Sequence, residues 1–143
     1  MPTDITTSAS IEIKAPATHV WNALTTPELI ERWFFGARTE TDWREGSPIV
    51  HRGEFRGHPY EDKGTILRVE PESLLVHTHW SSISGTPDAP ENYQEVEWAL
   101  TEHDDDTTDL TVSETNVPSE QAKELSERAW EASLRALKDL LEA

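Results

Sequence analysis

The chain has 143 residues, and 28 Asp and Glu against 12 Lys and Arg give it a formal net charge of −16. That length is typical of one domain, residues 1–143, with one buried core, and so negative a surface disfavours nucleic acids and anionic membranes as partners. The lack of cysteine excludes disulfides, a thiol nucleophile and thiolate metal sites, and the lack of a long apolar run excludes a transmembrane helix.

The acidic residues are spread along the whole chain rather than held in one block. A dispersed acidic excess suits a protein in strong salt, where screening weakens the repulsion between like charges. The first residues show neither the basic nor the apolar stretch of a secretory signal. We therefore expect a cytoplasmic protein from a halophilic source.

The start of the chain predicts one strand followed by two short helices. Residues 10–14 alternate polar and apolar side chains, as in a half-buried strand. Pro16 suits the first turn of a helix because its missing N–H would be unpaired there anyway. Thr26 and Pro27 are an N-cap and a first-turn proline for the second helix, and Gly36 suits its end.

The middle of the chain predicts a run of strands, each rich in β-branched or aromatic residues and bounded by Gly, Pro or Ser. Their connections are too short for parallel crossovers, so the strands are expected to pair antiparallel. The predicted strands cover residues 49–55, 63–69, 74–80, 93–100 and 110–113.

Residues 118–141 predict a long amphipathic helix that begins at Pro118-Ser119-Glu120. Its apolar face must be buried, and the predicted antiparallel sheet is the surface available for it. The residues of this face are Ala122, Leu125, Ala129, Trp130, Leu134, Leu137 and Leu141.

Several local strings accompany this element order: Trp33-Phe34, residues 42–46 and residues 63–71, followed by Trp98 and Trp130. Together they resemble the helix-grip superfamily of START-like and birch-pollen-allergen-like (SRPBCC) domains. Within it the chain is most similar to the activator of heat-shock-protein-90-ATPase-like family. The resemblance covers about residues 8–141, and it departs from the family at Ser47 and Ala129, where a glycine is usual.

The resemblance implies an α+β helix-grip fold. In that fold a curved antiparallel sheet of about six or seven strands wraps a long C-terminal helix, and two short helices follow the first strand. Members act as carriers or sensors of apolar small molecules, as polyketide cyclases and aromatases, or as chaperone co-regulators. The fold alone does not choose among these functions.

Six tryptophans in so short a chain are more than packing usually needs. Their rings can line an interior pocket for an apolar ligand while their N–H groups orient it; otherwise they simply fill the core. The expected wall of such a pocket is Val20, Leu24, Trp33, Phe55, Trp80, Trp98, Trp130 and Leu134.

His77 and His79 lie two residues apart on a predicted strand, so both side chains leave the same face. With Glu95 and Glu97 on a neighbouring strand they have the donor types for zinc. We expect no metal there, because the opposite face of the strand is the more apolar one and should point inward. The residues of that opposite face are Leu74, Val76, Thr78 and Trp80.

His51 shares a predicted strand face with apolar residues, so it is either a general base in the cavity or a buried, hydrogen-bonded structural histidine. The structural role is the expected one, and no cofactor motif is present. Asp42 and Arg44 are expected to stabilise a strand turn, with Trp43 at the rim of the cavity. Residues 81–92 form either a lid or a plain surface loop.

Three functions follow in order of preference. The first is a non-enzymatic domain that binds a small hydrophobic or aromatic molecule in an interior cavity. The second is a chaperone ATPase co-regulator that acts through protein contacts. The third is a cyclase-like enzyme that uses His51 with a nearby acid.

Overall fold

The computed structural model describes residues 3–143, apart from the side chain of Phe55. Its elements follow the predicted order, with one additional short strand and a single-turn 3-10 helix before the sixth strand. They are β1 (Thr7–Ile13), α1 (Ala17–Thr25), α2 (Pro27–Trp33), β2 (Arg38–Glu40), β3 (Pro48–Phe55), β4 (His58–Glu70), β5 (Leu74–Ser81), the 3-10 helix (Pro90–Asn92), β6 (Gln94–Glu102), β7 (Thr108–Glu114) and α3 (Glu120–Glu142).

The seven strands form one antiparallel sheet in the order β1-β7-β6-β5-β4-β3-β2. All neighbours except β1 and β7 are consecutive in the chain, so short turns connect most of the sheet. The α+β helix-grip fold expected from the resemblance is confirmed. β2 was not predicted, because three residues are too few to show an alternating pattern.

Helix α3 lies against the sheet and buries Trp130, Leu134 and Leu137 in the core. Ser119 caps its first turn, with Oγ accepting a hydrogen bond of 3.1 Å from the backbone N–H of Ala122. The predictions for Leu125 and Ala129 were wrong: Leu125 is 61% exposed and Ala129 is exposed as well, because the buried stripe begins at Trp130. No helix among residues 3–143 is both long and apolar enough to cross a membrane.

Strands β4 and β5 approach each other closely at Gly64. A Cβ at this position would lie 1.8 Å from the backbone oxygen of Thr78. The pairing register also shifts between Ile66 and Arg68, which is the signature of a β-bulge. Because the bulge accentuates the local twist, it helps the sheet to curve around α3.

Candidate functional site

The space between α3 and the sheet is almost filled. Its interior cavity has a volume of about 30 Å³, room for about two water molecules, since one needs roughly 10–15 Å³. The cavity is therefore too small for an organic ligand as it stands. Its lining residues are Leu24, Ile30, Trp33, Phe34, Trp43, Ile49, His51, Leu75, His77, His79, Trp98 and Trp130.

Aromatic rings from three elements pack edge to face around this cavity. The centroid of Trp98 lies 5.7 Å from that of Trp33 and 5.4 Å from that of Trp130, with the ring planes close to perpendicular in each pair. Phe34 stacks on Trp130, with 6.1 Å between centroids and 13° between planes. Trp33 also donates its indole N–H to the backbone oxygen of Ala23 at 2.9 Å. These contacts hold the rings in defined orientations.

The structure brings together most of the residues expected to form the pocket wall. Leu24, Trp33, Trp98 and Trp130 line the interior cavity. Val20 and Leu134 are fully buried in the surrounding core without lining the cavity. The side chain of Phe55 lies outside the described part of the chain.

Trp80 lies apart from this group. Its indole N–H donates to the backbone oxygen of Thr86 at 3.3 Å. Its ring stacks on Tyr93, with 6.4 Å between centroids, and Nζ of Lys63 lies 5.7 Å from the ring centroid. Trp80 therefore packs with the 81–92 loop and not against Trp98 or Trp130.

The predicted orientation of His77 and His79 was wrong, because both point inward and line the cavity. His77 can be buried because both of its ring nitrogens have partners. Nε2 accepts a hydrogen bond from the indole N–H of Trp98 at 3.3 Å, and Nδ1 lies 2.9 Å from the backbone oxygen of Thr78. The prediction counted only the apolar residues on each face of the strand, and that count does not include hydrogen bonds that offset the cost of burying an imidazole.

Burial controls the protonation of two of the three inward histidines. Desolvation lowers the pKa of His51 to about 3, with a further lowering by the charges of His77 and His79. Desolvation likewise lowers the pKa of His77 to about 4. His51 is buried and its Nδ1 lies 2.7 Å from Oγ1 of Thr39, as expected for a structural histidine, although it also lines the cavity. A histidine with so low a pKa is a weak general base at neutral pH.

His79 behaves differently because it faces a carboxylate. Its Nε2 lies 3.0 Å from Oδ2 of Asp62, and their side chains are 21% and 11% exposed. Burial lowers the pKa of His79, but the hydrogen bond and charge of Asp62, with the charge of Glu114, raise it above the ordinary value overall. Burial raises the pKa of Asp62, and His79 more than reverses this. The hydrogen bond to Asp62 therefore favours the charged form of His79 in spite of its desolvation.

Glu95 and Glu97 do not join the inward histidines. In the β5–β6 register Glu95 lies opposite Thr78 and Glu97 opposite Val76, on the other face of the sheet. Among residues 3–143 with described side chains, no group of three His, Asp or Glu is placed to hold a metal ion.

A larger groove opens beside the interior cavity, between α3 and the ends of β4 and β5. Its volume is about 530 Å³. It shares Phe34, His79 and Trp130 with the interior cavity, so the two spaces are adjacent. Its apolar wall includes Phe34, Phe35, Tyr60, Ile83, Ala129 and Trp130, and its polar residues include Glu54, Asp62, His79, Glu114 and Arg128.

Two exposed apolar side chains stand at this groove. Phe35 is 59% exposed and Ile83 is 51% exposed. Phe35 adopts a backbone φ of +53°, which is unusual for a residue other than glycine. Exposed apolar side chains beside a concave surface are typical of a binding site.

The segment 81–92 is anchored to the sheet and also contributes Ile83 to the groove. Lys63 pairs with Asp88 at 2.5 Å, and the hydroxyl of Tyr93 donates to Asp88 at 2.7 Å. These two contacts hold the loop against the sheet at Asp88. Both alternatives for this segment, a lid and a plain surface loop, stay predictions.

The turn at residues 42–46 places Trp43 in the cavity wall in a left-handed conformation, with φ +57°. It also closes through a hydrogen bond of 3.0 Å from the backbone N–H of Ser47 to the oxygen of Arg44. Among the described residues no ion pair joins Asp42 and Arg44, so backbone contacts rather than charges hold the turn.

The sequence analysis missed Tyr60 and Asp62, because it began the strand at Lys63. Extending the period-two pattern back from Ile66 places Gly64, Asp62 and Tyr60 on one face. This alternating pattern was visible in the sequence, but Gly57-His58-Pro59 suggested a turn that extends to Asp62. The turn is in fact tight, since β4 already begins at His58.

A family model described as "Activator of Hsp90 ATPase homolog 1-like protein" matches residues 14–142. The fold is similar to that of ChR145 from Cytophaga hutchinsonii, with a TM-score of 0.83, 39% identity, and coverage of 99% of this chain and 97% of that one. It is also similar to CalU16 from Micromonospora echinospora, with TM-score 0.71, 27% identity and coverage of 96% and 81%.

An Aha1 dimer from Colwellia psychrerythraea has a similar fold as well, with TM-score 0.75, 20% identity and coverage of 96% of each chain. None of the curated proteins compared with the chain matches it. At 20% identity the likeness to the Aha1 dimer shows the fold alone.

Proposed function

The chain belongs to the activator of Hsp90 ATPase homolog 1-like family, and from that premise we propose that it binds a small apolar or aromatic molecule in the groove beside α3. The observation that supports this most strongly is the groove's apolar wall, which includes the rings of Phe34 just after α2, Tyr60 on β4 and Trp130 on α3. Its volume of about 530 Å³ lies within the range of roughly 300–1,000 Å³ that is typical of ligand sites.

The groove, rather than the enclosed cavity, is the proposed ligand site. The cavity holds about 30 Å³, whereas a ring system needs several times that volume. Trp130 and Phe34 line both spaces. A ligand in the groove would therefore contact the outer surface of the same aromatic cluster that fills the core.

Filling the groove is expected to abolish binding without disturbing the core. Ala129 is exposed on α3 and lines the groove, so a tryptophan there occupies ligand volume. For N-phenyl-1-naphthylamine, a neutral probe that fluoresces in apolar surroundings, Ala129→Trp should weaken binding at least about tenfold, a loss of about 1.4 kcal/mol. Fluorescence titration measures the dissociation constant.

The matched control is Leu67→Trp, which adds the same indole at an exposed apolar position on β4 outside the groove. It should bind the probe as the parent protein does. A folded Ala129→Trp variant with unchanged affinity would place the ligand elsewhere.

Chaperone co-regulation is the second candidate, because the matching family model is described by its likeness to an activator of Hsp90 ATPase. In that function Phe35 and Ile83 would be the apolar contacts to the chaperone. The test is the ATPase rate of purified Hsp90 with and without this protein. Stimulation that Ile83→Ser removes would favour this function, and an unchanged rate would remove it.

We also propose that the protein works in the cytoplasm of a salt-rich cell, since its formal net charge is −16. Repulsion among the acidic side chains weakens as the Debye length falls from about 10 Å at 0.1 M salt to about 3 Å at 1 M. The midpoint of thermal unfolding should therefore rise between 0.1 M and 1 M potassium chloride. Chloride is used because sulfate stabilises folded proteins generally, and a flat or falling midpoint would contradict the proposal.

A further inference from the structure

Gly53 lies in the interior of β3, although its backbone conformation does not require a glycine. The glycines that adopt a positive φ are Gly36, Gly46, Gly57 and Gly85, and Gly53 is not among them. A glycine weakens the interior of a strand, and it often marks a place where another group comes close to the backbone. The reason for a glycine at residue 53 is therefore to be found in the side chain that covers it.

The ring of Tyr60 occupies the place that a side chain at residue 53 would take. Gly53 and Tyr60 lie opposite each other in the β3–β4 register, so both positions belong to the same face of the sheet. A Cβ on Gly53 would lie 2.8 Å from the hydroxyl oxygen of Tyr60 and 3.0 Å from two of its ring carbons. The ring thus lies directly over the bare backbone of β3.

Tyr60 stands between the groove beside α3 and a second, open hollow toward β2. Its side chain lines both spaces. Gly53 belongs to the wall of the hollow, together with Arg38 and Arg52, and not to the wall of the groove. A side chain at residue 53 would therefore enter from the hollow and displace the ring of Tyr60 toward the groove.

The width of the groove depends on where this ring lies. On the opposite wall α3 contributes mostly small side chains, which are Ser126, Ala129, Ala132 and Ser133. The bulk on the sheet side near β3 comes from Tyr60. Movement of its ring away from β3 therefore takes volume from the groove, whose total is about 530 Å³.

We propose that Gly53 is a positioning residue for ligand binding: by leaving β3 bare, it holds the ring of Tyr60 back against the sheet and keeps the groove wide enough for a small apolar molecule. This inference rests on the proposed function, because it names what sets the width of that same site. Tyr60 contacts the ligand, and Gly53 acts only through Tyr60.

The test is a graded series at residue 53, measured as the dissociation constant of N-phenyl-1-naphthylamine. Gly53→Val should weaken binding at least about tenfold and Gly53→Ala about threefold, because the larger side chain displaces the ring further. The matched control is Val50→Ile, which adds one carbon to the same strand on the opposite face, outside the groove. It should bind the probe as the parent protein does.

Removal of the ring separates this role from a general disturbance of β3. In the Tyr60→Ala variant there is no ring to displace, so the addition of Gly53→Val should change the affinity by less than about threefold. A full loss of affinity on adding Gly53→Val to Tyr60→Ala would show that residue 53 acts through the backbone of β3, and it would overturn the inference.

The position of the ring can be measured without any ligand. Nuclear Overhauser contacts between the ring protons of Tyr60 and the α-protons of Gly53 should be strong in the parent protein. In Gly53→Val the ring should instead gain contacts to the methyl groups of Ala129 or Ala132 on α3. If Gly53→Val fails to fold, Gly53→Ala and the contacts in the parent decide the question.

The possible failures are distinguishable. The absence of Tyr60–Gly53 contacts in the parent, or equal affinity of the parent and Gly53→Val for the probe, would overturn the inference and leave ligand binding standing. A parent protein that shows the ring contacts but binds no probe would contradict the proposed function, and with it the role of Gly53.

Discussion

Gly64→Ala is expected to be the most damaging single-methyl change in the protein, with a loss of more than about 4 kcal/mol in the free energy of unfolding. The added Cβ would lie 1.8 Å from the oxygen and 2.4 Å from the carbonyl carbon of Thr78. Both are backbone atoms of the neighbouring strand, so they move only if β4 and β5 separate. That separation would also disturb Asp62 and His79, which these two strands carry.

Gly53→Ala is the matched control for this prediction. There the nearest atom to an added Cβ is the hydroxyl of Tyr60 at 2.8 Å, the far end of a side chain that can swing away. Urea denaturation should show a loss of about 1 kcal/mol or less for Gly53→Ala. If Gly64→Ala lowered the free energy of unfolding no more than Gly53→Ala does, β4 and β5 could not approach each other as closely as described.

Acid is expected to destabilise the protein steeply from pH 6.5 downward. The pKa of both His51 and His77 falls from 6.5 in the unfolded chain to about 3 and about 4 in the fold, chiefly by desolvation. Between pH 6.5 and 4 the unfolded state therefore binds up to two more protons than the folded state. Stability rises with pH in that window, by up to roughly 3 kcal/mol per unit.

The other perturbed groups of the site do not cancel this slope. The pKa of Asp62 is lowered in the fold, so its contribution is lost at still lower pH. The pKa of His79 is raised, so its contribution is complete below pH 6.5 and is lost only as the pH rises. Acid unfolding should therefore begin well above the range in which ordinary carboxylates titrate.

Urea denaturation at a series of pH values measures this slope directly. His77→Gln retains an acceptor for the indole of Trp98 but cannot take up a proton, so it should roughly halve the slope between pH 6.5 and 4. His103→Gln, which removes an exposed histidine, should leave a similar slope to the parent's. A free energy of unfolding that stays constant across this window would show that the histidines are not buried in neutral form.

The fold could be predicted from the sequence to a large extent, because several local signals agreed with one another. The N-cap of α3, its amphipathic pattern and the turn residues between strands all pointed to the same element order. The curvature and topology of the sheet were predicted from the resemblance to a known family, because the local periodicity of a sequence does not contain them.

The face of β5 was predicted wrongly for a physical reason. Judged by hydrophobicity, Val76 and Trp80 belong inside, and His77 and His79 belong outside. The structure buries Val76 but also places His77 and His79 inside, because Trp98 and Asp62 supply the partners that make buried imidazoles tolerable. Such compensation comes from other strands, so no pattern within β5 reveals it.

The groove was harder to predict than the aromatic core. The high number of tryptophans in the sequence predicts an aromatic core, and Trp33, Trp98 and Trp130 do meet there. The groove depends instead on where along α3 the contact with the sheet begins, and on the exposed side chains of Phe35 and Ile83. These are properties of tertiary packing and not of any one segment.

The most direct test of ligand binding in the groove is the response of the indole N–H signals of ¹⁵N-labelled protein to N-phenyl-1-naphthylamine. Trp130 lines the groove, whereas Trp80 packs with the loop away from the aromatic cluster. The account predicts the largest chemical-shift change at Trp130 and little change at Trp80. An unperturbed Trp130 signal at saturating probe, or a change largest at Trp80, would contradict it.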